Sequence, residues 1–288
     1  MRTWLILLLS GLIAIALIWT LLGPPQIEIN KNKSVPEPSK ADIRVLFIGN
    51  SHTFYNALPT IYQNLARSRQ VPLAAYVKPV TVGGFTLSQH WKHEPTRAAL
   101  KEKWDFVIIQ GASSEPITAQ NSYISAAQNI VGQVREQGAH PILFLTWAYA
   151  SWDYAYSQSP RLYGQTPTEL QDKLNYTALF LQKILNLTIA PVGPAWRIAT
   201  QEFDETSLYH EDGNHARIMG SYLAACTIYE AIHGESAAEG QWFPEKMTRD
   251  QARLLQEIAH QAFSEWQMQE DMTPIGSIED HESGFDLN

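Results

Sequence analysis

Two short segments carry side chains suited to nucleophilic chemistry. The first is Phe47-Ile48-Gly49-Asn50-Ser51-His52-Thr53, where an apolar run stops at a glycine and a serine follows closely. A serine at a strand-to-helix turn stands at the edge of a sheet, with its own N–H at a helix start. Its hydroxyl could attack a carbonyl while that N–H holds the negative charge developing on oxygen. The competing reading is a helix cap, a common use of serine. The second segment is Tyr209-His210-Glu211-Asp212-Gly213-Asn214-His215-Ala216, ahead of an apolar helix. In a turn, the Asp212 to His215 spacing lets the carboxylate hold the imidazole Nδ1–H and leaves Nε2 free to take a proton. Here the competing reading is an Asp cap beside a solvated histidine.

The elements that must position these groups alternate between strand and helix. Ile43 to Ile48 reads as a buried strand, followed by a helical stretch to about Arg69. Ala74 to Val82 predicts a second strand, ending at Gly83-Gly84, and Asp105 to Ile109 a third, ending at Gln110-Gly111. Residues 121–137 have helical spacing, Pro141 to Thr146 is a fourth strand, 167–187 is helical, and Thr188 to Val192 is a fifth strand. Helices fit 215–233 and 247–268. This alternation predicts an α/β fold with a parallel five-stranded sheet covered on both faces. Sites in such sheets form at the C-terminal ends of the strands. That rule selects Gly49–His52, Gly83-Gly84, Gln110-Gly111 and Trp147.

Together these pieces resemble the SGNH (GDSL-like) hydrolase superfamily over about residues 43–233. Gly49-Asn50-Ser51 is similar to the nucleophile block, and Gly83-Gly84 falls where the family places its oxyanion glycine. Asp212-Gly213-Asn214-His215 matches the terminal Asp-x-x-His. Gly220-Ser221-Tyr222-Leu223 resembles the pattern that often follows it, and Pro191-Val192-Gly193-Pro194-Ala195-Trp196 the segment before it. The chain departs from the family after the third strand. Gln110-Gly111-Ala112-Ser113-Ser114 stands where Gly-x-Asn-Asp is usual. Carbohydrate-esterase branches carry a similar Gln-Gly-Glu segment, so the resemblance assigns the missing amide donor to Gln110.

The resemblance implies a three-layer α/β/α sandwich of the flavodoxin-like type and acyl transfer without metal or cofactor. Ser51 attacks an ester carbonyl after His215 takes its proton, and Asp212 orients the imidazolium. The N–H groups of Ser51 and of Gly84 or Gly83, with the Gln110 amide, hold the oxyanion. The aromatic loop after the fourth strand supplies Trp147, Tyr149 and Trp152 as a substrate wall, or as packing beneath it. The expected activity is serine-dependent hydrolysis of O-acyl esters, acetyl among them, of a carbohydrate or cell-envelope glycan. The alternatives are a lipase or thioesterase of the same fold, or a catalytically silent carbohydrate-binding domain. His52 reads as a polar loop residue. His90 and His93 have the spacing of a zinc pair but lack a third ligand, so residues 89–94 read as a solvated helix face.

Composition bounds the rest. The 288 residues, 45% hydrophobic and 17% charged, are globular in balance. The net charge of −8 owes much to Glu270, Asp271, Glu279, Asp280, Glu282 and Asp286, and with no basic excess elsewhere nucleic acid is not an expected partner. Cys226 is the single cysteine, which excludes an internal disulfide and a cysteine-cluster metal site. Trp4 to Leu22 is an almost unbroken apolar run; at about 1.5 Å per residue it is about 28 Å long, close to a bilayer's hydrocarbon thickness. It ends without a small-x-small cleavage site, so residues 1–22 predict a signal anchor. A proline-punctuated linker (23–41), the catalytic domain (42–269) and an acidic disordered tail (270–288) follow. This layout predicts a single-pass membrane protein with its domain outside the cytoplasm, periplasmic or extracellular, or a secreted one if the segment is cleaved. Oligomeric state leaves no mark in the sequence.

Overall fold

The computed structural model describes residues 40–272. The described residues open on an inner strand of the sheet, β1 (Ile43–Gly49), in which every residue but Arg44 and the closing glycine is apolar. A strand of that composition must be covered on both faces. Val45 and Phe47 point to one core, Leu46 and Ile48 to the other, and all four are fully buried. Burying each such side chain contributes roughly 1.5–3 kcal/mol. β2 (Ala75–Thr81), β3 (Phe106–Ile109), β4 (His140–Phe144) and β5 (Thr188–Ala190) complete a parallel sheet in the order β2-β1-β3-β4-β5. Pro79, which cannot donate to a ladder, lies in β2 at the sheet edge.

The crossovers are helical. α1 (Ser51–Phe54), a 3-10 turn (Tyr55–Ala57) and α2 (Leu58–Arg67) join β1 to β2. α3 (Leu87–Lys92) and α4 (Glu94–Ala99) lead to β3, then α5 (Glu115–Thr118) and α6 (Gln120–Glu136) to β4. α7 (Ala155–Gln158) and α8 (Pro167–Leu185) lead to β5, and α9 (Val192–Glu202), α10 (Glu205–Leu208), α11 (Ile218–His233) and α12 (Arg249–Met272) follow. α2, α9, α11 and most of α12 pack on the Val45–Phe47 face, and α3, α6 and α8 on the Leu46–Ile48 face. From β1 the chain steps outward to β2 and then returns to β3 on the other side. The strand order therefore reverses at β1 and β3, which opens a crevice above their carboxyl ends. Gly49–Ser51 and Gln110–Ser114 both end there.

All five predicted strands form, with ends shifted by a residue or two. The fifth stops earlier than expected, because Val192 already opens α9. Pro194 is tolerated there because the first turn of a helix needs no N–H donors. The helix expected at 89–94 is α3, set by a capping box between Thr86 and Gln89, but its face is not solvated throughout, because His90 is buried; α4 falls outside the sequence reading. α12 runs past the predicted domain edge at 269. The proposed anchor, nearly all of the linker and the tail beyond Met272 lie outside the described residues. Among the described residues no helix is long and apolar enough to cross a membrane.

Candidate active site

The nucleophile turn is built by Asn50, not by a serine cap. Asn50 is the N-cap of α1 and its side chain accepts the His52 N–H at 3.1 Å. Ser51 is thus the first helical residue, with its hydroxyl unbonded to any other described residue and its N–H among the unpaired donors of a helix start. The Asn50 amide donates to the Phe85 carbonyl at 3.1 Å, and Val82 N–H donates to the Gly49 carbonyl at 3.0 Å. These bonds tie the loop after β2 to the serine turn. The peptide N–H groups of Gly83 and Gly84 make no hydrogen bond to another described residue. Three main-chain donors, from Ser51, Gly83 and Gly84, therefore stay available for a ligand oxygen.

Gln110 is fully buried, and its carboxamide is used at both ends. The oxygen accepts from Asn50 N–H and from the Thr53 hydroxyl, each at 2.8 Å. The nitrogen donates to Asn50 Oδ1 at 2.9 Å and to the Gly111 carbonyl. No N–H of this amide is left to face an oxyanion, so the expectation of a Gln110 donor is corrected: Gln110 braces the serine turn. It also explains Gly49, where a Cβ would come within 2.4 Å of the Gln110 oxygen and 2.3 Å of the Thr53 hydroxyl. Beyond it Glu115, missed in the sequence, accepts from Leu87 N–H and Ala112 N–H at 3.0 Å. Glu115 thus joins the start of α3 to the loop after β3. Burial pushes its carboxyl up, against those same N–H groups.

On the other side of the crevice, His215 Nδ1 and Asp212 Oδ2 are 2.6 Å apart. Asp212 Oδ1 also accepts the N–H groups of Asn214 and His215 at 3.0 Å, so the carboxylate closes an Asx-type turn. Burial works against ionisation, but the His215 ring N–H and these peptide donors outweigh it and hold the carboxyl at about 2. Gly213 sits between them at φ +70°, and a Cβ there would come within 3.1 Å of Asp153 and 3.2 Å of Trp152. The turn is fixed from β4's loop: Trp147 Nε1–H donates to the Asn214 carbonyl at 2.9 Å and Ala150 N–H to the Gly213 carbonyl at 2.7 Å.

The two halves meet through their rings. The His215 imidazole stacks on Tyr55, centroids 4.3 Å apart and planes 12° apart, and lies 5.9 Å from the His52 ring. Tyr55 and Ser51 are one helical turn apart, and the Tyr55 N–H donates to the Ser51 carbonyl. No hydrogen bond joins Ser51 Oγ to His215 Nε2 in this arrangement; such bonds often tighten only when substrate binds. His52 is not a loop residue at the surface but is buried against Trp147. Burial first, and His215 second, push its imidazole down to about 3, so it stays neutral. Ser113 Oγ lies 3.4 Å from His52 Nδ1 and donates to Asn214 Oδ1 at 3.3 Å.

The expected aromatic wall divides. Trp147 is 1% exposed and stacked on Trp196, so it supports the histidine turn from beneath and does not face substrate. Tyr149 is half-buried and donates to Ser114 Oγ at 3.1 Å. Trp152, 42% exposed, keeps the rim position: its Nε1–H donates to the Glu211 carbonyl beside Asp212. Phe54, equally exposed, is the rim aromatic that the sequence reading passed over; a Cβ added at Gly83 would touch its ring at 3.9 Å. His90 and His93 share the Thr96 hydroxyl, and His90 Nε2 bonds the Gly49 carbonyl at 3.0 Å. Among the described residues no cluster of His, Cys, Asp and Glu could hold a metal ion.

A parallel sheet with this order, carrying Gly-Asn-Ser after β1 and Asp-x-x-His before α11, is the architecture of the SGNH hydrolases. Within it the chain belongs to the DUF4886 family, described as a domain of unknown function, whose sequence profile matches residues 93–262. That stretch contains Gln110, Asp212 and His215 and begins after Ser51. Among solved structures, a candidate SGNH hydrolase from Slackia heliotrinireducens is 26% identical, with a TM-score of 0.57 over 66% of this chain and 98% of that one. A DUF4886 family protein from Bacteroides uniformis is 23% identical, with a TM-score of 0.60 over 76% and 94%. A catalytic mutant of Axe2, an acetylxylan esterase from Geobacillus stearothermophilus, is 15% identical, with a TM-score of 0.54 over 68% and 96%. No curated protein matches the chain.

Proposed function

We propose that the chain is a membrane-anchored serine esterase that removes O-acyl groups, acetyl among them, from a carbohydrate or cell-envelope glycan outside the cytoplasm. The observation that carries this reading is the 2.6 Å bond between Asp212 and His215, whose imidazole lies against the helical turn that begins at Ser51. His215 Nε2 accepts the Ser51 proton as the hydroxyl attacks the ester carbonyl. Asp212 holds Nδ1–H and balances the imidazolium. The N–H groups of Ser51, Gly83 and Gly84 take the oxyanion in a preorganised polar frame that Gln110 and Asn50 keep in place. The alcohol leaves with the proton from His215, and water then releases the acid from Ser51.

Exposed Phe54 and Trp152 beside the reacting groups suit the apolar face of a sugar, and one protein of like fold is named an acetylxylan esterase. The anchor rests on the apolar run 4–22 of the sequence. Turnover of p-nitrophenyl esters of increasing chain length by the full chain in detergent tests the activity and the acyl group together. Preference for acetate supports the reading; preference for long chains gives a lipase, and no turnover of any ester gives the silent binding domain.

A further inference from the structure

The His215 imidazole has two aromatic neighbours, Tyr55 and His52, and Tyr55 is followed by an unusual backbone. Asn56 and Ala57, which follow Tyr55, have φ of 52° and 53°. Residues with a β-carbon seldom adopt that region, and two in succession persist only where surrounding bonds enforce them. The bonds are present: Asn56 Nδ2 donates to the Ala216 carbonyl at 2.8 Å and to Ser221 Oγ at 2.9 Å. Ala216 directly follows His215, and Ser221 lies in the first turn of α11. The strained turn is therefore fastened to the histidine loop at one end, and to Ser51 through the Tyr55 N–H at the other.

Between those ends the Tyr55 ring lies nearly flat on the imidazole at 4.3 Å. The Tyr55 hydroxyl makes no hydrogen bond to another described residue, so the ring is what the arrangement uses. A flat π face this close blocks rotation of the imidazole out of the Asp212 plane, and its quadrupole attracts the imidazolium formed when a proton arrives. The more distant neighbour, His52 at 5.9 Å, is uncharged and adds no repulsion.

We propose that Tyr55 is a positioning residue for proton transfer by His215, and that the strained Asn56–Ala57 turn persists to hold its ring there; this rests on the esterase reading of Ser51, Asp212 and His215. The test is kcat and KM for p-nitrophenyl acetate with the full chain. Tyr55→Leu, which keeps bulk and removes the π face, is expected to lower kcat by roughly 2- to 30-fold, the range of a cation–π contact, with KM unchanged. Tyr55→Phe is expected to recover that loss. Should Tyr55→Leu fail to fold, Asn56→Gly, which frees the turn and removes both bonds, takes its place with the same expectation for kcat. Wild-type kcat in the Leu or Gly variant, or a Phe variant as slow as the Leu variant, overturns the proposal alone. Absence of turnover and of fluorophosphonate labelling in the wild-type chain overturns the esterase reading and this proposal with it.

Discussion

Replacing Gln110 by Ala takes away the partners of three buried groups, Asn50 N–H, the Thr53 hydroxyl and the Gly111 carbonyl, and one of the two donors to Asn50 Oδ1, which keeps the His52 N–H. Each buried polar group left without a partner costs about 1–3 kcal/mol. With local relaxation re-pairing some of them, the loss is about 3–6 kcal/mol, a large part of the roughly 5–15 kcal/mol that holds a domain together. Urea unfolding reads this directly. With a slope of about 2 kcal/mol per M, the midpoint should fall by on the order of 2 M. Turnover per folded molecule should fall as well, because Asn50 loses the bonds that aim the Ser51 turn. The reasoning is refuted by a Gln110→Ala protein with an unchanged urea midpoint and a kcat lowered by about 10²–10³, the usual effect of removing an oxyanion donor. That result would return Gln110 to the oxyanion hole.

Asp212→Asn keeps the shape of the turn but favours the wrong His215 tautomer, and ester turnover should fall by about 10³–10⁴ with the thermal midpoint little changed; a loss under tenfold would remove Asp212 from the mechanism. His90, buried against the Gly49 carbonyl, has its imidazole pushed down by burial from 6.5 to about 4. Only the unfolded chain then binds a proton there between those values, so this contribution is complete above pH 6.5 and is lost as pH falls toward 4. Between pH 7 and 5 the wild type should lose about 2 kcal/mol more than His90→Gln, measured from urea midpoints; parallel curves for the two proteins would contradict this.

What the sequence made legible follows from what is local. The five strands announce themselves as apolar runs, and the Asp212-Gly213-Asn214-His215 turn closes on itself, so its bond could be read from spacing. Ser51 was legible in part: its place at the strand end follows from the β1 run, but the cap belongs to Asn50. Gln110 and Trp147 were assigned to the open site because both end strands at its rim. Which way such a side chain turns depends on neighbours far away in the chain, here Asn50 and Trp196. Tyr55 was missed and His52 reads as a polar loop residue because their approach to His215 is a contact between segments about 160 residues apart, and the two positive φ angles after Tyr55 leave no pattern beyond the tolerance of Asn for that region. The α9 start was read as strand because Thr188 to Val192 is a short apolar run, which periodicity cannot divide between strand and helix.

The central claim is that Ser51 is a nucleophile activated by His215. Reaction of the full chain with a fluorophosphonate, followed by peptide mass mapping, tests it most directly. The account predicts one adduct, on the peptide containing Ser51, absent from Ser51→Ala and strongly slowed in His215→Ala. Labelling at another serine, or equal labelling of the wild type and Ser51→Ala, would contradict it.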